Sequence, residues 1–181
     1  MFDSFDFERD PDFNYFESGN IQESSLYFTP KEFSSHIRNK LDKITFFHHN
    51  IRSFNANSDF VLSIFDSPDI YPEVLVFSET WFRQDNLGKI PGYCDFHTLR
   101  EQGKSGGVSV FVKNNFNCSF LESLSYANFN IGLITFQARI FNKNFTIIGI
   151  YRPQSGSIEF FAREVENISK DNGLENSNLV I

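Results

Sequence analysis

Asn50, Glu79 and Tyr151 each stand at or just past the C-terminal end of a strand-like run: Ile44–His49, Val74–Ser78 and Phe145–Ile150. Strands fix position while the loops above them vary, so side chains at such ends often converge on one cleft. A lone carboxylate there suits Mg²⁺, which prefers oxygen ligands, keeps several waters and binds through one or two carboxylates plus a substrate phosphate. Glu79 is the natural candidate. The Asn50 amide can orient a water or a phosphate oxygen, and the Tyr151 hydroxyl can donate to an oxygen whose charge grows during phosphoryl transfer. Taken singly, each of the three is more often a solvated strand end or a turn residue.

Other polar clusters carry less. His48 and His49 adjoin Asn50, but neighbours on a strand point to opposite faces and do not easily share one ion, so each reads as a packed or surface histidine. Ser105-Gly106-Gly107 lacks the fuller Gly-x-x-x-x-Gly-Lys-Ser/Thr pattern of a phosphate loop and leads into a strand, so it reads as a glycine turn entering Val108–Val112. Arg100, Lys104 and, further on, Lys113 form the densest basic patch and could meet a phosphate backbone; solvated charges explain them nearly as well.

The elements that would position these residues are short. Apolar segments at Ile44–His49, Val74–Phe77, Gly107–Val112, Ile131–Ile140, Phe145–Tyr151 and Asn178–Ile181 are mostly separated by Gly, Pro and Asn clusters, which predicts strands. Val74–Phe77 is apolar at every position, which predicts a sheet covered on both faces. Helices are predicted over Ser58–Phe65 and over Ile158–Ile168, where Ile158, Phe161, Ala162, Val165 and Ile168 fall along one face. Strands outnumber helices, and a layered, mixed α/β fold follows. Residues 1–25 interleave Phe with Asp and Glu without a clean period and predict an acidic tail, disordered or loosely docked. Residues 26–42 predict a leading helix capped by Thr29 with Pro30 at its first position. The domain itself is placed at 43–181.

Composition narrows the class. Sixteen Lys and Arg against 23 Asp and Glu give a net charge of −7, which argues against broad attraction to nucleic acid, so any such contact is local. Phe is abundant at 24 residues, yet no apolar run approaches the ~20 residues that span a bilayer. No secretory signal is visible at Met1-Phe2-Asp3-Ser4. Cys94 and Cys118 alone do not suggest a disulfide framework and read as reduced cysteines of a cytosolic or nuclear protein.

Five short motifs then occur in a telling order: Phe47-His48-His49-Asn50-Ile51-Arg52-Ser53, Phe77-Ser78-Glu79-Thr80-Trp81, Ile90-Pro91-Gly92-Tyr93, Ser105-Gly106-Gly107-Val108 and Ile148-Gly149-Ile150-Tyr151-Arg152-Pro153. From about Leu26 to Ile181 they resemble the endonuclease/exonuclease/phosphatase (DNase I-like) family, and within it the apurinic-type endonuclease domain of LINE-like non-LTR retrotransposon proteins. The resemblance implies a four-layer α/β sandwich of two facing sheets with helices outside. It implies phosphodiester hydrolysis with Mg²⁺ or Mn²⁺ and nicking of DNA on behalf of a reverse transcriptase in the same polyprotein. It matches Asn50 to the family's active-site Asn, Glu79 to its metal-binding Glu and Tyr151 to the Tyr against the scissile phosphate. Arg100, Lys104 and Arg152 are weaker candidates for substrate binding.

Departures from the pattern set further expectations. After a strand like Asn178–Ile181 the family continues into Gly-Asp-x-Asn and later into Ser-Asp-His, and neither occurs in these 181 residues. The resemblance therefore implies an incomplete sandwich, the N-terminal half, inactive alone because groups that act as a unit are missing. Apolar inner faces and unpaired strand edges are expected from it. His49 and Gly132 also depart from the family's usual apolar and acidic residues and suggest a decayed copy. Two other readings stay open: a non-catalytic module binding nucleic acid or protein, and another phosphatase branch of the superfamily.

Overall fold

Period-two alternation sorts the strand side chains into layers. The computed structural model describes residues 44–66, 71–100, 106–170 and 178–180. The tail and helix predicted over 1–42 lie outside them, as does Ile181. In chain order the elements are β1 (Phe46–Asn50), α1 (Phe54–Asp66), β2 (Val74–Ser78), β3 (Tyr93–Thr98), β4 (Val108–Lys113), β5 (Asn117–Phe120), β6 (Tyr126–Ala127), β7 (Gly132–Ile140), β8 (Lys143–Tyr151), α2 (Ile158–Ser169) and β9 (Asn178–Val180).

One sheet has the order β1-β2-β4-β3, and the second runs β5-β7-β8-β9 with β6 on β7. In the first sheet β1 and β2 are parallel and the remaining pairs antiparallel. Val74, Val108, Val110 and Val112 of the first sheet meet Ile134, Phe136, Ala138, Ile140 and Ile147 of the second in one buried cluster. Leu75, Phe77 and Phe111 point the other way, onto Phe54, Val61 and Phe65 of α1. On the outer face of the second sheet Leu133 and Ile148 pack with Ile168 of α2. The order helix, sheet, sheet, helix is a four-layer α/β sandwich.

Contact between the sheets depends on two glycines. A Cβ at Gly149 would stand 2.8 Å from Ile134, and one at Gly132 would stand 2.9 Å from Val108, inside any real carbon contact. Gly132 thus has a packing reason: it lets β7 close on β4 at the end where Tyr151 lies opposite it.

Three expectations are corrected here. The inner faces of both sheets are buried against each other and not left open; the anticipated edge exposure is seen at β1, with four of its five residues exposed, and in part at β5. The single apolar face of α2 is not formed as predicted: Ile158 is 64% exposed, Ala162 is exposed, and Ile168 is the residue it buries. The helix itself starts at Ile158 as predicted, capped where the Ser157 hydroxyl accepts the Phe160 N–H at 3.2 Å. Strand β3 went unpredicted because Tyr93-Cys94-Asp95-Phe96-His97-Thr98 alternates without a dry face of its own and is held by its pairing with β4.

Candidate active site

Parallel pairing sets Asn50 opposite Ser78, so Asn50 and Glu79 leave neighbouring strands at the same pole. Tyr151 ends β8 of the facing sheet and reaches the same place. The backbone there is knitted by tertiary hydrogen bonds: Ile51 N–H to Ser78 O at 3.0 Å, Ser53 N–H to Glu79 O at 2.8 Å, Phe54 N–H to Thr80 O at 3.0 Å and Trp81 N–H to Gly106 O at 3.0 Å. These bonds hold Glu79 at φ 58° and Trp81 at φ 57°, left-handed conformations that a non-glycine residue adopts at a cost.

Both carboxylate oxygens of Glu79 are engaged. The Tyr151 hydroxyl donates to Oε1, and the Trp81 indole N–H donates to Oε2 at 2.6 Å. Burial first, then the Glu79 carboxylate, hold the Tyr151 hydroxyl well above its ordinary range, while Arg100 and Arg152 pull it down. Tyr151 is therefore a neutral hydrogen-bond donor across physiological pH, as a group serving a phosphate oxygen must be.

The predicted residues divide. Glu79 and Tyr151 touch, Asn50 stands exposed one strand over, and Arg100 and Arg152 lie near enough to act on Tyr151 through their charge. Arg152 also donates to the carbonyl of Gly156 at 3.1 Å, and the Arg100 guanidinium lies 5.4 Å from the centroid of the Phe129 ring. Lys104 lies outside the described residues. Lys113 does not belong to the patch: it ends β4 at the opposite pole, ion-paired with Glu73 at 3.1 Å. A basic residue on the same strand as the glycine turn was counted with it, although the strand carries it to the far end.

Reading the sequence missed Trp81 as a partner of Glu79. Its signal was available, a lone Trp two residues past the candidate carboxylate. It also missed a part-buried polar relay beneath the site. Asp95 meets His97 Nε2 at 2.8 Å, His97 Nδ1 meets Ser109 at 2.9 Å, and the Ser109 hydroxyl donates to Thr80 at 3.4 Å. Asp95 and His97 stand two apart on β3, but no spacing rule reaches on to Ser109 across on β4 or to Thr80 beyond β2.

Glu73 and Glu79 bracket β2 and show what distinguishes them. Glu73 is tied to a cation, Lys113, and to the Thr45 N–H at 2.8 Å, so its charge is spent within the fold. Glu79 has neutral donors on both oxygens, and its charge remains to attract an ion. Among the described residues no group of three or more His, Cys, Asp or Glu could hold a metal. An ion here would rest on Glu79 with water and phosphate oxygens around it, a donor set that fits Mg²⁺ and equally Mn²⁺.

No protein-family model and no curated protein matches this sequence. Solved structures match in shape. The endonuclease domain of TRAS1, a telomere-specific non-LTR retrotransposon, superposes with a TM-score of 0.54 at 12% identity, over 74% of this chain and 56% of that one. The fold is DNase I-like. Two further DNase I-like structures align less closely. The 3′ phosphatase NExo from Neisseria, bound to product DNA hairpin, gives a TM-score of 0.49 at 16% identity, over 76% of this chain and 55% of its own. The AP endonuclease LMAP from Leishmania major gives 0.46 at 15% identity, over 68% and 45%. The chain thus spans about half the length of the DNase I-like structures it matches.

Proposed function

We propose that these residues are the metal-holding half of a DNA-cutting domain of the retrotransposon type. The observation that carries this reading is the Tyr151 hydroxyl on the Glu79 carboxylate, a contact between two facing sheets at a pole that Asn50 shares. In this reading Glu79 holds Mg²⁺ or Mn²⁺, which supplies a Lewis acid for a phosphodiester oxygen. Tyr151 donates to the scissile phosphate, Asn50 orients a water or a phosphate oxygen, and Arg100, Arg152 and Lys104 meet neighbouring phosphates. DNA is the substrate and a reverse transcriptase-bearing polyprotein the partner, in the nucleus or cytoplasm. Among the described residues no helix is long and apolar enough to cross a membrane.

A second reading has an observation in its favour. Among the described residues the candidate site offers one carboxylate, and a Glu79 that holds the metal is not free to move a proton as well, a role worth ~10²–10⁴-fold in rate. In this second reading the described site binds metal and DNA without cutting. Supercoiled plasmid incubated with the purified chain, with Mg²⁺ or with chelator and beside Glu79→Ala, tests this. No nicking above the variant is expected. Mg²⁺-dependent nicking lost in the variant would show that these residues suffice for cleavage, and plasmid binding indifferent to both chelator and Glu79→Ala would remove the metal-site reading.

A further inference from the structure

Cys94 and Cys118 are far apart in sequence and lie on β3 of one sheet and β5 of the other, yet their sulfurs stand 3.0 Å apart. Both thiols are half-buried at the margin of the cluster between the sheets. A disulfide bond is about 2.05 Å long, so roughly 1 Å separates the pair from bonding. The Cys94 thiol also donates to the Val112 carbonyl at 3.2 Å, which orients its sulfur. Nothing in the DNase I-like reading of the site uses either residue.

We propose that this pair is an oxidation site, closing to an intramolecular disulfide with hydrogen peroxide as oxidant and linking the two sheets. In the first step a thiolate attacks one peroxide oxygen and the O–O bond breaks. Hydroxide leaves, takes up a proton as water, and a sulfenic acid remains. The second sulfur then attacks the first, the S–O bond breaks, and a second water departs with the thiol proton. Two thiols lose two electrons, and one peroxide becomes two waters.

Burial and the neighbouring sulfur push the Cys118 thiol up to about 12, which favours its protonated form. The closing step is intramolecular between sulfurs already in contact, so it outruns attack by a second peroxide. Thiol reductants reverse the link.

The full chain, treated with hydrogen peroxide under native conditions and analysed by mass spectrometry without reduction, should lose two hydrogens. It should also yield one proteolytic peptide pair joined through Cys94 and Cys118. Its thermal midpoint should rise by about 5 °C or more and return with dithiothreitol. Cys94→Ser should remove the link and the rise. Two cysteines that stay free, advance separately to sulfinic acids or join different chains would overturn the proposal. So would a link that forms only after the fold is lost, as followed by circular dichroism.

Discussion

Non-glycine residues with left-handed backbone cluster in two places among the described residues. Arg52, Ser53, Glu79 and Trp81 surround the candidate site, and Phe141 and Asn142 form the turn between β7 and β8 at the other end of the sandwich. The turn is local. Two central residues at φ 47° and 62° match the twist of the strands they join, and Asn-Gly would do the same with less strain. At the site the conformation is imposed from outside, by bonds from Ser53 to Glu79, from Phe54 to Thr80 and from Trp81 to Gly106. Strain at a hairpin answers to turn chemistry; strain at the site is enforced by the whole pole and serves to aim side chains.

The hardest test of that difference is Ser53→Pro. Proline fixes φ near −65° and removes the N–H that meets Glu79 O, so unfolding by urea should show a loss of about 3 kcal/mol or more. A loss below about 1 kcal/mol would mean that the pole is not over-determined. Next comes the pair of glutamates. Glu79→Ala should weaken Mn²⁺ binding, read by water-proton relaxation, at least tenfold. Glu73→Ala should leave Mn²⁺ binding intact and reduce stability by about 1–3 kcal/mol, since it strands Lys113 and the Thr45 N–H. Equal loss of binding in both variants would erase the distinction between them.

The relay beneath the site predicts a pH dependence. Burial lowers the His97 imidazole below its usual 6.5, while Asp95 pulls it the other way. Between the two values the unfolded chain binds the extra proton, so this contribution to stability is complete above pH 6.5 and is lost as the pH falls through the folded value. Urea midpoints measured from pH 8 to 5 should decline below 6.5, and His97→Asn should flatten that decline. The smallest effect belongs to the turn. Phe141→Asn with Asn142→Gly should raise stability by about 0.5–1 kcal/mol and leave Mn²⁺ binding unchanged. A loss instead would show that the contact of Phe141 with Phe116 matters more than the turn.

How much was legible in the sequence follows from how local each signal was. The apolar runs of β2, β4, β7 and β8 and the polar residues at their ends are local, and the structure sets Glu79 and Tyr151 in contact where those ends meet. β3 draws its stability from β4 and has no pattern of its own. Lys113 was misplaced because proximity along a strand is distance across a sheet. The nearness of Cys94 to Cys118 and the contacts from His97 through Ser109 to Thr80 join segments distant in sequence, so no spacing announces them.

The indole on Glu79 has a practical side. Trp81 is the chain's one tryptophan, 40% exposed, with its N–H on the carboxylate itself. Its emission therefore comes from a single place, the rim of the candidate site. A change in charge, solvation or hydrogen bonding at Glu79 alters the colour or intensity of the chain's tryptophan fluorescence, with no background from elsewhere. The molecule carries its own optical label where one is wanted.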